Sequence, residues 1–505
     1  MHLDLTIERW NPKYREAFFE LNRAWIEADY PLEEIDINVL SDPEMHILSD
    51  GGSILSAIAG DEVVGVVALR PVGAHVFELT KMAVDLPWRG RGIGKQLLRA
   101  ALDEARTLNA HRVILYSNTQ TSGPAVTLYR KMGFREIPLE AGKYKRADIK
   151  MERTLNTIPI RKIAKSRLPE TDLSKLAFGT IVSDHMLVAD YKNGAWQAPE
   201  ITPYENLSLP PATMALHYGQ IVWEGMKAFR LQDGGVSIFR IARHAQRINR
   251  SLVRMAMPTM PDGYFENCVR ALVALDRDWV PNSPGSALYI RPLVFATDAM
   301  YGVKISDTYR FVIFTGPVPP FYANPLKVKV EEKFIRAAHG GTGAAKCAGN
   351  YGGSLYPAKL AREAGFDQII WTDLSPELNI EESGTMNVMF VLDGKVVTPA
   401  LSDTTLDGIT RDSILTLASE LGYATEQRRI SALELVEAHK RGTLQEAFGT
   451  GTAAVTIPFE LIRVQEHELK LKPVQPDFFS IRVRELLNEI RTGQRPDTHH
   501  WNTIL

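Results

Sequence analysis

Cysteine is nearly absent from this chain of 505 residues, in which only Cys268 and Cys347 occur. Two cysteines cannot build a disulfide framework, and neither stands in the CxxC or Cys/His spacing of a metal site. An excess of one charge is also lacking, because 58 lysines and arginines stand against 60 acidic residues. This balance excludes a strong basic field that would recruit nucleic acid.

Long apolar runs are missing as well. No window approaches 18 uninterrupted apolar residues, and the start, MHLDLTIERW, carries charges where a secretory signal needs an apolar region. The sequence therefore predicts no membrane segment, and we expect a cytoplasmic protein with reduced cysteines. Repeats of fixed period and low-complexity tracts are also absent, which excludes a repeat array.

The chain is too long for one ordinary core, and its length predicts at least two domains. The pattern over 1–154 reads as strand, glycine turn, helix, strand and helix, including a hairpin over 62–84. A basic and polar stretch at 155–170 predicts a linker. The rest, 171–505, mixes strands and helices without strict alternation, which favours an α+β domain over a doubly wound α/β sheet.

A Pro-rich joint at 316–326, GPVPPFYANPL, divides the second domain. It predicts two lobes, at about 171–320 and 327–505. Ligand pockets favour the crevice between two such lobes, so a ligand is expected there.

Glycines follow a strand in the first domain. The segment Arg89-Gly90-Arg91-Gly92-Ile93-Gly94 lies between the strand FELTKMAV and a helical apolar period. Glycines at such a turn let backbone amides approach a phosphate, and the helix N-terminus attracts negative charge. The spacing is not GxGxxG, which argues against a dinucleotide fold. A plain strand-to-helix turn is the alternative.

With LYRKMGF at 128–134, the first domain resembles the GNAT acyltransferase family. The resemblance implies acetyl-CoA as a cosubstrate, with Tyr129 as the acid that protonates the departing thiolate. It also implies Glu78 as a base acting through water, with a solvated strand charge as the alternative, and Asn118 as a contact or a turn former. The acyl acceptor cannot be inferred. The implied acetyl-CoA-binding residues are Met82, Val84, Arg89, Arg91, Gly92, Gly94 and Lys95.

A lysine among small residues marks the second domain, in HGGTGAAKCAGNYGG at 339–353. The segment is not a nucleotide P-loop, because no glycine precedes Lys346 and no hydroxyl follows it. A lysine in a tight apolar site can lose its proton and bond to an aldehyde cofactor. An ordinary surface lysine is the alternative.

Six further motifs favour the aldehyde cofactor. They are HYGQIVWEGMKAFR at 217–230, HAQRINRS at 244–251, LYIRP at 288–292, EESGTMN at 381–387, LDGITRD at 406–412 and FGTGTAA at 448–454. Together they resemble the fold-type IV aminotransferases, most closely the branched-chain amino acid aminotransferases, from about residue 160 to 500. D-amino acid aminotransferase and aminodeoxychorismate lyase are the alternatives, against which WEGMKAF and LYIRP argue.

The resemblance implies a role for each motif residue. Lys346 holds pyridoxal 5′-phosphate and moves a proton, Glu382 pairs with the pyridine nitrogen, Arg247 contacts the phosphate and Tyr351 contacts the phenolic oxygen. Arg291 is also implied for the side-chain carboxylate of glutamate or 2-oxoglutarate. Further cofactor contacts are implied for Thr385, Ile409, Thr410 and Thr452. The implied substrate-binding residues are Phe178, Tyr218, Trp223, Tyr289, Arg291, Tyr322 and Ala453.

The chain is therefore predicted to be bifunctional. The second domain is expected to exchange amino groups between leucine, isoleucine or valine and 2-oxoglutarate, and the first to acetylate an amine. A binding module that senses acetyl-CoA is the alternative for the first domain. The resemblance also implies a homodimer, because fold-type IV active sites commonly borrow a loop from the neighbouring subunit.

Overall fold

The computed structural model describes residues 5–505 except 74–75, 109, 111, 141–143, 145, 156–157, 174 and 321–323. Packing divides the chain into two units, Met1–Thr157 and Ile158–Leu505. Both units mix strands and helices, which confirms the multidomain α+β and α/β class. Among the described residues, no helix is long and apolar enough to cross a membrane.

The first unit is built on one mixed sheet. Its described strands and helices are, in chain order, β1 (Leu5–Arg9), α1 (Arg15–Asp29), α2 (Glu34–Ser41), β2 (Ser53–Ala59), β3 (Glu62–Gly73), β4 (Val76–Val84), α3 (Ile93–Thr107), β5 (Arg112–Ser117), α4 (Gly123–Lys131), β6 (Arg135–Ile137) and β7 (Ile149–Thr154). The strand order is β1-β2-β3-β4-β5-β7-β6. The predicted hairpin is confirmed, because β3 and β4 pair antiparallel.

Strands β4 and β5 separate where a ligand can enter. They run parallel but pair only from Val76 to Glu78 on the β4 side. Beyond that point β4 bulges: Lys81 has a φ of 50°, and the pairing with β3 shifts register. A bulge bends its strand away from the neighbouring strand. The gap that results is lined by both strands and opens into a cavity of about 750 Å³.

Helix α3 follows the glycine turn and packs on the sheet. Gly92 caps its N-terminus with a φ of 82°, a left-handed conformation that glycine adopts without steric cost. The apolar period predicted for this helix is buried, as are the faces of β3 and β5 beneath it. The turn is thus held in place by a long amphipathic helix.

The segment predicted as a linker is attached at both ends. Leu155 is buried in the core of the first unit. Ile158 and Leu168 pack against the core of the second unit, and the amide of Arg161 donates to the carbonyl of Ile201 at 2.8 Å. Apolar side chains within a polar stretch explain this attachment.

The first lobe of the second unit is a sheet of nine strands covered by helices. Its elements up to the joint are β8 (His185–Lys192), β9 (Ala195–Trp196), β10 (Glu200–Pro203), α5 (Met214–Tyr218), β11 (Ile221–Trp223), β12 (Met226–Arg230), β13 (Val236–Phe239), α6 (Ile241–Arg254), α7 (Tyr264–Leu275), β14 (Ala287–Ala296) and β15 (Tyr309–Val318). Helices α6 and α7 bury their apolar faces in its main core.

The remaining elements are both helices and strands. Among the described residues, nine of these strands form a second sheet, and the last strand of the chain belongs to the first sheet instead. They are β16 (Leu326–Val330), α8 (Ala348–Gly352), α9 (Leu355–Glu363), β17 (Gln368–Thr372), β18 (Ile380–Ser383), β19 (Asn387–Leu392), β20 (Lys395–Pro399), α10 (Ile409–Glu420), β21 (Thr425–Arg428), α11 (Ala432–Arg441), β22 (Leu444–Gly451), β23 (Val455–Val464), β24 (His467–Lys470), α12 (Phe479–Arg491) and β25 (Asn502–Ile504).

The two lobes are not separate segments of the chain. Strand β25 pairs antiparallel with β13, so the C-terminus covers the edge of the first sheet. An apolar cluster also joins Phe229 and Phe239 of the first lobe to Phe448 and Phe479 of the second. Helix α12 contributes to this cluster and therefore packs where the lobes meet.

Candidate functional site

Lys346 lies in a buried loop immediately before α8. Its amide donates to Ser251 Oγ at 2.9 Å, and its carbonyl accepts from the amide of Trp223 at 3.0 Å. The side-chain amine donates to the Tyr351 hydroxyl at 2.8 Å and lies 3.8 Å from the centroid of the Trp223 ring. Burial lowers the pKa of Lys346 to about 7, and the charge of Arg247 adds to this effect. The amine is thus available as a nucleophile near neutral pH.

Glu382 on β18 is the buried carboxylate of this group, with 3% of its surface exposed. It accepts a hydrogen bond from the amide of Leu406 at 2.7 Å and lies 3.3 Å from Arg336 Nε. Burial raises the pKa of Glu382, and the charge of Arg336 opposes this rise. A buried carboxylate of this kind suits a ligand that carries a protonated ring nitrogen.

Arg247 on α6 is held rigidly from one side. Glu224 accepts from its Nε at 2.7 Å and from its Nη2 at 2.8 Å, and the Asp407 carbonyl accepts from Nη1 at 3.1 Å. His244, one turn earlier on the same helix, lies 2.8 Å from the second oxygen of Glu224. Although burial opposes it, the charges of Arg247 and His244 hold the pKa of Glu224 far below its ordinary value.

Helix α10 begins beside Arg247. Gly408 is its N-cap, and the amides of Ile409 and Thr410 belong to its first turn, whose N–H groups have no partner within the helix. A helix N-terminus attracts anions. The partly buried Thr452 lines one small cavity with Ile409 and Thr410. We call Arg247, these two amides and Thr452 the phosphate cradle, after the phosphate contacts that the family resemblance implies for them.

An aromatic wall surrounds the amine of Lys346. The Trp223 ring lies 4.7 Å from the Tyr351 ring, and the guanidinium of Arg291 lies 4.3 Å from the Trp223 centroid. Arg291 donates to the Tyr289 hydroxyl at 3.3 Å, and Phe178, 46% exposed, packs on Tyr289 at 5.1 Å. The ring faces of this wall are apolar, and the guanidinium of Arg291 adds a positive charge at one edge.

Three further predicted residues lie elsewhere or cannot be described. Thr385 is exposed in the turn after β18, and Tyr218 donates to the carbonyl of Tyr301. Neither forms a hydrogen bond or ring contact with the Lys346 group among the described residues. Tyr322 lies outside the described residues.

Roles for Glu224, His244 and Arg336 were not predicted from the sequence. The first two lie within quoted motifs, and His244 precedes Arg247 by three residues, a spacing that places both on one face of a helix. That spacing was the available signal. Arg336 lies ten residues before the lysine and offers no comparable signal, because its partner Glu382 is distant in the chain.

The first unit places most of its predicted residues around its cavity, including Met82, Val84, Arg89, Gly92, Gly94, Lys95, Asn118 and Tyr129. The Tyr129 hydroxyl lies 3.8 Å from Met82 Sδ, and burial raises the pKa of Tyr129 to about 12. The hydroxyl therefore keeps its proton at neutral pH and can donate it. Arg91 instead stacks its guanidinium on Trp88, 5.0 Å from the ring centroid.

Glu78 is not a solvated strand charge. It is 1% exposed, accepts from Arg70 at 2.9 Å and from the Tyr144 hydroxyl at 2.8 Å, and lines the same cavity. Asn118 accepts from the amides of Gln120 at 2.9 Å and Thr121 at 3.1 Å, as a turn former does.

Comparison with known proteins assigns both units. The family model for amino-transferase class IV matches residues 222–462. Branched-chain-amino-acid aminotransferase 2 of Bacillus subtilis strain 168 is 39% identical over 354 residues, which are 69% of this chain and 97% of that protein. The chain belongs to the branched-chain aminotransferase family. Branched-chain-amino-acid transaminase 1 of the same strain is 41% identical over 65% of this chain and 94% of its own length.

The family's solved structures agree with this assignment. The branched-chain amino acid aminotransferase of Escherichia coli aligns with a TM-score of 0.51 and 26% identity, covering 62% of this chain and 98% of that one. The model for the acetyltransferase (GNAT) family matches residues 8–134, so the first unit is a GNAT domain.

Proposed function

We propose that the second unit exchanges amino groups between leucine, isoleucine or valine and 2-oxoglutarate, with pyridoxal phosphate bound covalently to Lys346. The observation that carries this proposal is the buried amine of Lys346, 2.8 Å from the Tyr351 hydroxyl, with its pKa lowered to about 7. The Bacillus subtilis relatives, which are named as aminotransferases of branched-chain amino acids, support the amino transfer.

The residues of the second unit fit this cofactor. Pyridoxal phosphate supplies an aldehyde that bonds to amines and a ring that accepts electrons from the substrate Cα. Lys346 offers the amine, and buried Glu382 suits the ring nitrogen. The phosphate cradle suits a dianionic phosphate. With the substrate amine in its place, Lys346 Nζ would accept the proton from the substrate Cα and donate it to the cofactor carbon that had held the lysine.

The aromatic wall explains the choice of substrate. Trp223 and Phe178 offer apolar ring faces to a branched side chain, which gains from leaving water. Arg291, whose Nε has no hydrogen-bond partner among the described residues, offers a cation to the second carboxylate of glutamate or 2-oxoglutarate. The same pocket can therefore accept both members of the substrate pair.

Glutamate formation from leucine and 2-oxoglutarate tests this proposal. The Lys346→Met variant is expected to be inactive, whereas Lys359→Met, which removes an exposed lysine of α9, is expected to keep the wild-type rate. A wild-type protein that is inactive with leucine, isoleucine and valine but active with D-alanine would contradict it and favour a D-amino acid aminotransferase.

For the first unit, we propose that acetyl-CoA binds with its pyrophosphate at the glycine turn before α3 and transfers its acetyl group to an amine. Glu78 and Tyr144 lie in the cavity as a hydrogen-bonded pair that can accept the amine proton, and Tyr129 can protonate the thiolate. Free thiol release from acetyl-CoA, measured over a panel of amines, tests the transfer. Acetyl-CoA that alters amino transfer while no amine is acetylated would favour the sensor.

We also propose that the protein acts as a homodimer. A loop between β14 and β15 exposes large apolar side chains: Tyr301 is 86%, Val303 81% and Ile305 61% exposed. A contiguous apolar patch of this kind typically marks a protein interface. The molecular mass in solution tests this proposal: Val303→Asp is expected to give monomers, and wild-type protein that is already monomeric would contradict it.

A further inference from the structure

Two buried cations of the second unit line the same small cavity, and neither forms an ion pair with a carboxylate in the part of the chain that the structure describes. Lys227 on β12 is 7% exposed and Arg491 at the end of α12 is 3% exposed. The Lys227 amine donates to the Ala453 carbonyl at 2.9 Å. Arg491 stacks on the Phe239 ring at 4.3 Å, while its Nε and Nη1 have no hydrogen-bond partner in the part of the chain that the structure describes.

This arrangement is unfavourable when nothing else is bound. Burial, together with the charge of Arg491, lowers the pKa of Lys227 to about 7. Burial, together with the charge of Arg240, lowers the pKa of Arg491 to about 9. Buried charges without a partner and buried donors without an acceptor both destabilise a fold. An anion between the two side chains would neutralise the charge and accept the free hydrogen bonds.

The position of Lys227 and Arg491 indicates which anion would bind between them. Lys227 and Arg491 line a small cavity together with residues of the phosphate cradle and its neighbours, namely His244, Ile409, Thr410 and Thr452. Its volume of about 10 Å³ suits one oxygen-sized group, such as a single oxygen of a larger oxyanion.

Arg247, the cation of the phosphate cradle, is already paired with a carboxylate. Arg247 gives its Nε and Nη2 to Glu224, which neutralises it, and its Nη1 to the Asp407 carbonyl. A phosphate monoester carries nearly two negative charges at neutral pH. The amides of α10 contribute only partial charges. Lys227 and Arg491 are the lysine and the arginine that line the small cavity, and neither pairs with a carboxylate among the described residues.

We propose that Lys227 and Arg491 form a phosphate-binding subsite behind the phosphate cradle. Its anion is the phosphate group of pyridoxal phosphate in the loaded enzyme and inorganic phosphate in its absence. This inference rests on the proposed cofactor, but the pair itself can be tested with inorganic phosphate alone.

The test uses full-length protein freed of cofactor. Arg491→Met and Lys227→Met remove one charge each, and Arg491→Lys restores the charge in the same place. Arg310→Met is the control, because Arg310 pairs with Asp190 on the first sheet away from the cavity. The melting temperature is measured with inorganic phosphate, with chloride at equal ionic strength and with pyridoxal phosphate, and the dissociation constant of pyridoxal phosphate is measured by titration.

We expect Arg491→Met without ligand to be at least as stable as wild type, because a repulsion has been removed. The stabilisation by inorganic phosphate should fall by half or more, and the dissociation constant of pyridoxal phosphate should rise about tenfold. Arg491→Lys should recover most of both effects. Phosphorus NMR of the bound cofactor should show a dianion well below the free ionisation near about pH 6, and titration nearer pH 6 in Lys227→Met.

Two results would overturn the inference. If the variants lose stability without ligand but bind phosphate and pyridoxal phosphate as wild type does, the pair is structural. If chloride stabilises as well as phosphate does and competes with it, the site takes a monoatomic anion. Wild-type protein that takes up no pyridoxal phosphate contradicts the proposed function instead, and the phosphate measurements still decide the role of the pair.

Discussion

The chemistry of the second unit depends on single residues whose properties are set by their neighbours. Lys346 is buried against Trp223 and lies near the cation Arg247, and both conditions favour its uncharged form. The Tyr351 hydroxyl accepts a hydrogen bond from the Lys346 amine and thereby orients it. The motif around the lysine marked its identity, but its charge state follows from the folded environment.

The charge state of Lys346 leads to a prediction about pH. A lysine in water has a pKa near about 10.4, whereas that of Lys346 is about 7. The amine is uncharged above about pH 7, so covalent loading of pyridoxal phosphate should accelerate as the pH rises through 7 and then level off. The growth rate of the visible absorbance band between pH 5.5 and 9 measures this. A rate that still climbs steeply above pH 9 would contradict it.

Two neighbouring glutamates provide a matched pair of variants. Glu382 and Glu381 are adjacent and both buried, but only Glu382 lies within the electrostatic reach of Lys346. Glu382→Gln should lower kcat for leucine about 100-fold, because a charge that supports the electron-accepting ring is lost. Glu381→Gln should stay within about threefold of wild type. Equal losses in both variants would show that the effect is structural.

Residues that act through long-range pairing could not be predicted from the sequence. Lys346, Tyr351 and Arg291 were found by motif, and the structure brings them together in one aromatic pocket. Lys227 was part of a quoted motif, yet its neighbour Arg491 is 264 residues away. No local sequence spacing predicts such a pair, because only the fold brings the two residues together.

At the scale of elements, the turn before α3 and the bulge in β4 shape the cavity of the first unit. The helix and the hairpin could be predicted, since both have clear apolar periods. The bulge at Lys81 could not, because a lysine with positive φ has no sequence signature. The opening between β4 and β5 depends on that bulge.

Two glycines at helix starts test the importance of backbone conformation in this domain. An added Cβ at Gly92 or at Gly123 would meet nothing within 4 Å, but only Gly92 has a positive φ. Gly92→Ala should therefore destabilise the protein by about 1 kcal/mol and weaken acetyl-CoA binding several-fold. Gly123→Ala should leave both nearly unchanged. Thermal unfolding and calorimetric titration with acetyl-CoA measure the two effects, and equal behaviour of the variants would contradict the prediction.

At the scale of the whole molecule, each unit has its own core and its own candidate site. The division near residue 157 follows from where apolar residues pack, which a polar linker pattern reveals only approximately. The return of β25 to the first sheet was not visible in the sequence, because a three-residue strand has too short a pattern to recognise.

Because the two units have separate cores, we expect a substitution in the site of one unit to leave the activity of the other unit intact. Lys346→Ala should abolish amino transfer and leave the affinity for acetyl-CoA within about twofold, since the two sites belong to units with separate cores and share no residue. Gly92→Ala should weaken acetyl-CoA binding several-fold and leave the rate of amino transfer within about twofold. Measuring both activities on both full-length variants tests this, and a loss of both activities in either variant would show coupling between the units.

The most direct test of the central claim is chemical trapping of the cofactor. Purified full-length protein is loaded with pyridoxal phosphate, reduced with borohydride, digested and analysed by mass spectrometry, with leucine added beforehand in a parallel sample. We expect the reduced cofactor to be attached to Lys346 in the sample without leucine, and this attachment to be missing from the sample that received leucine before reduction. Labelling of a different lysine, or none in protein that has the visible band, would contradict it.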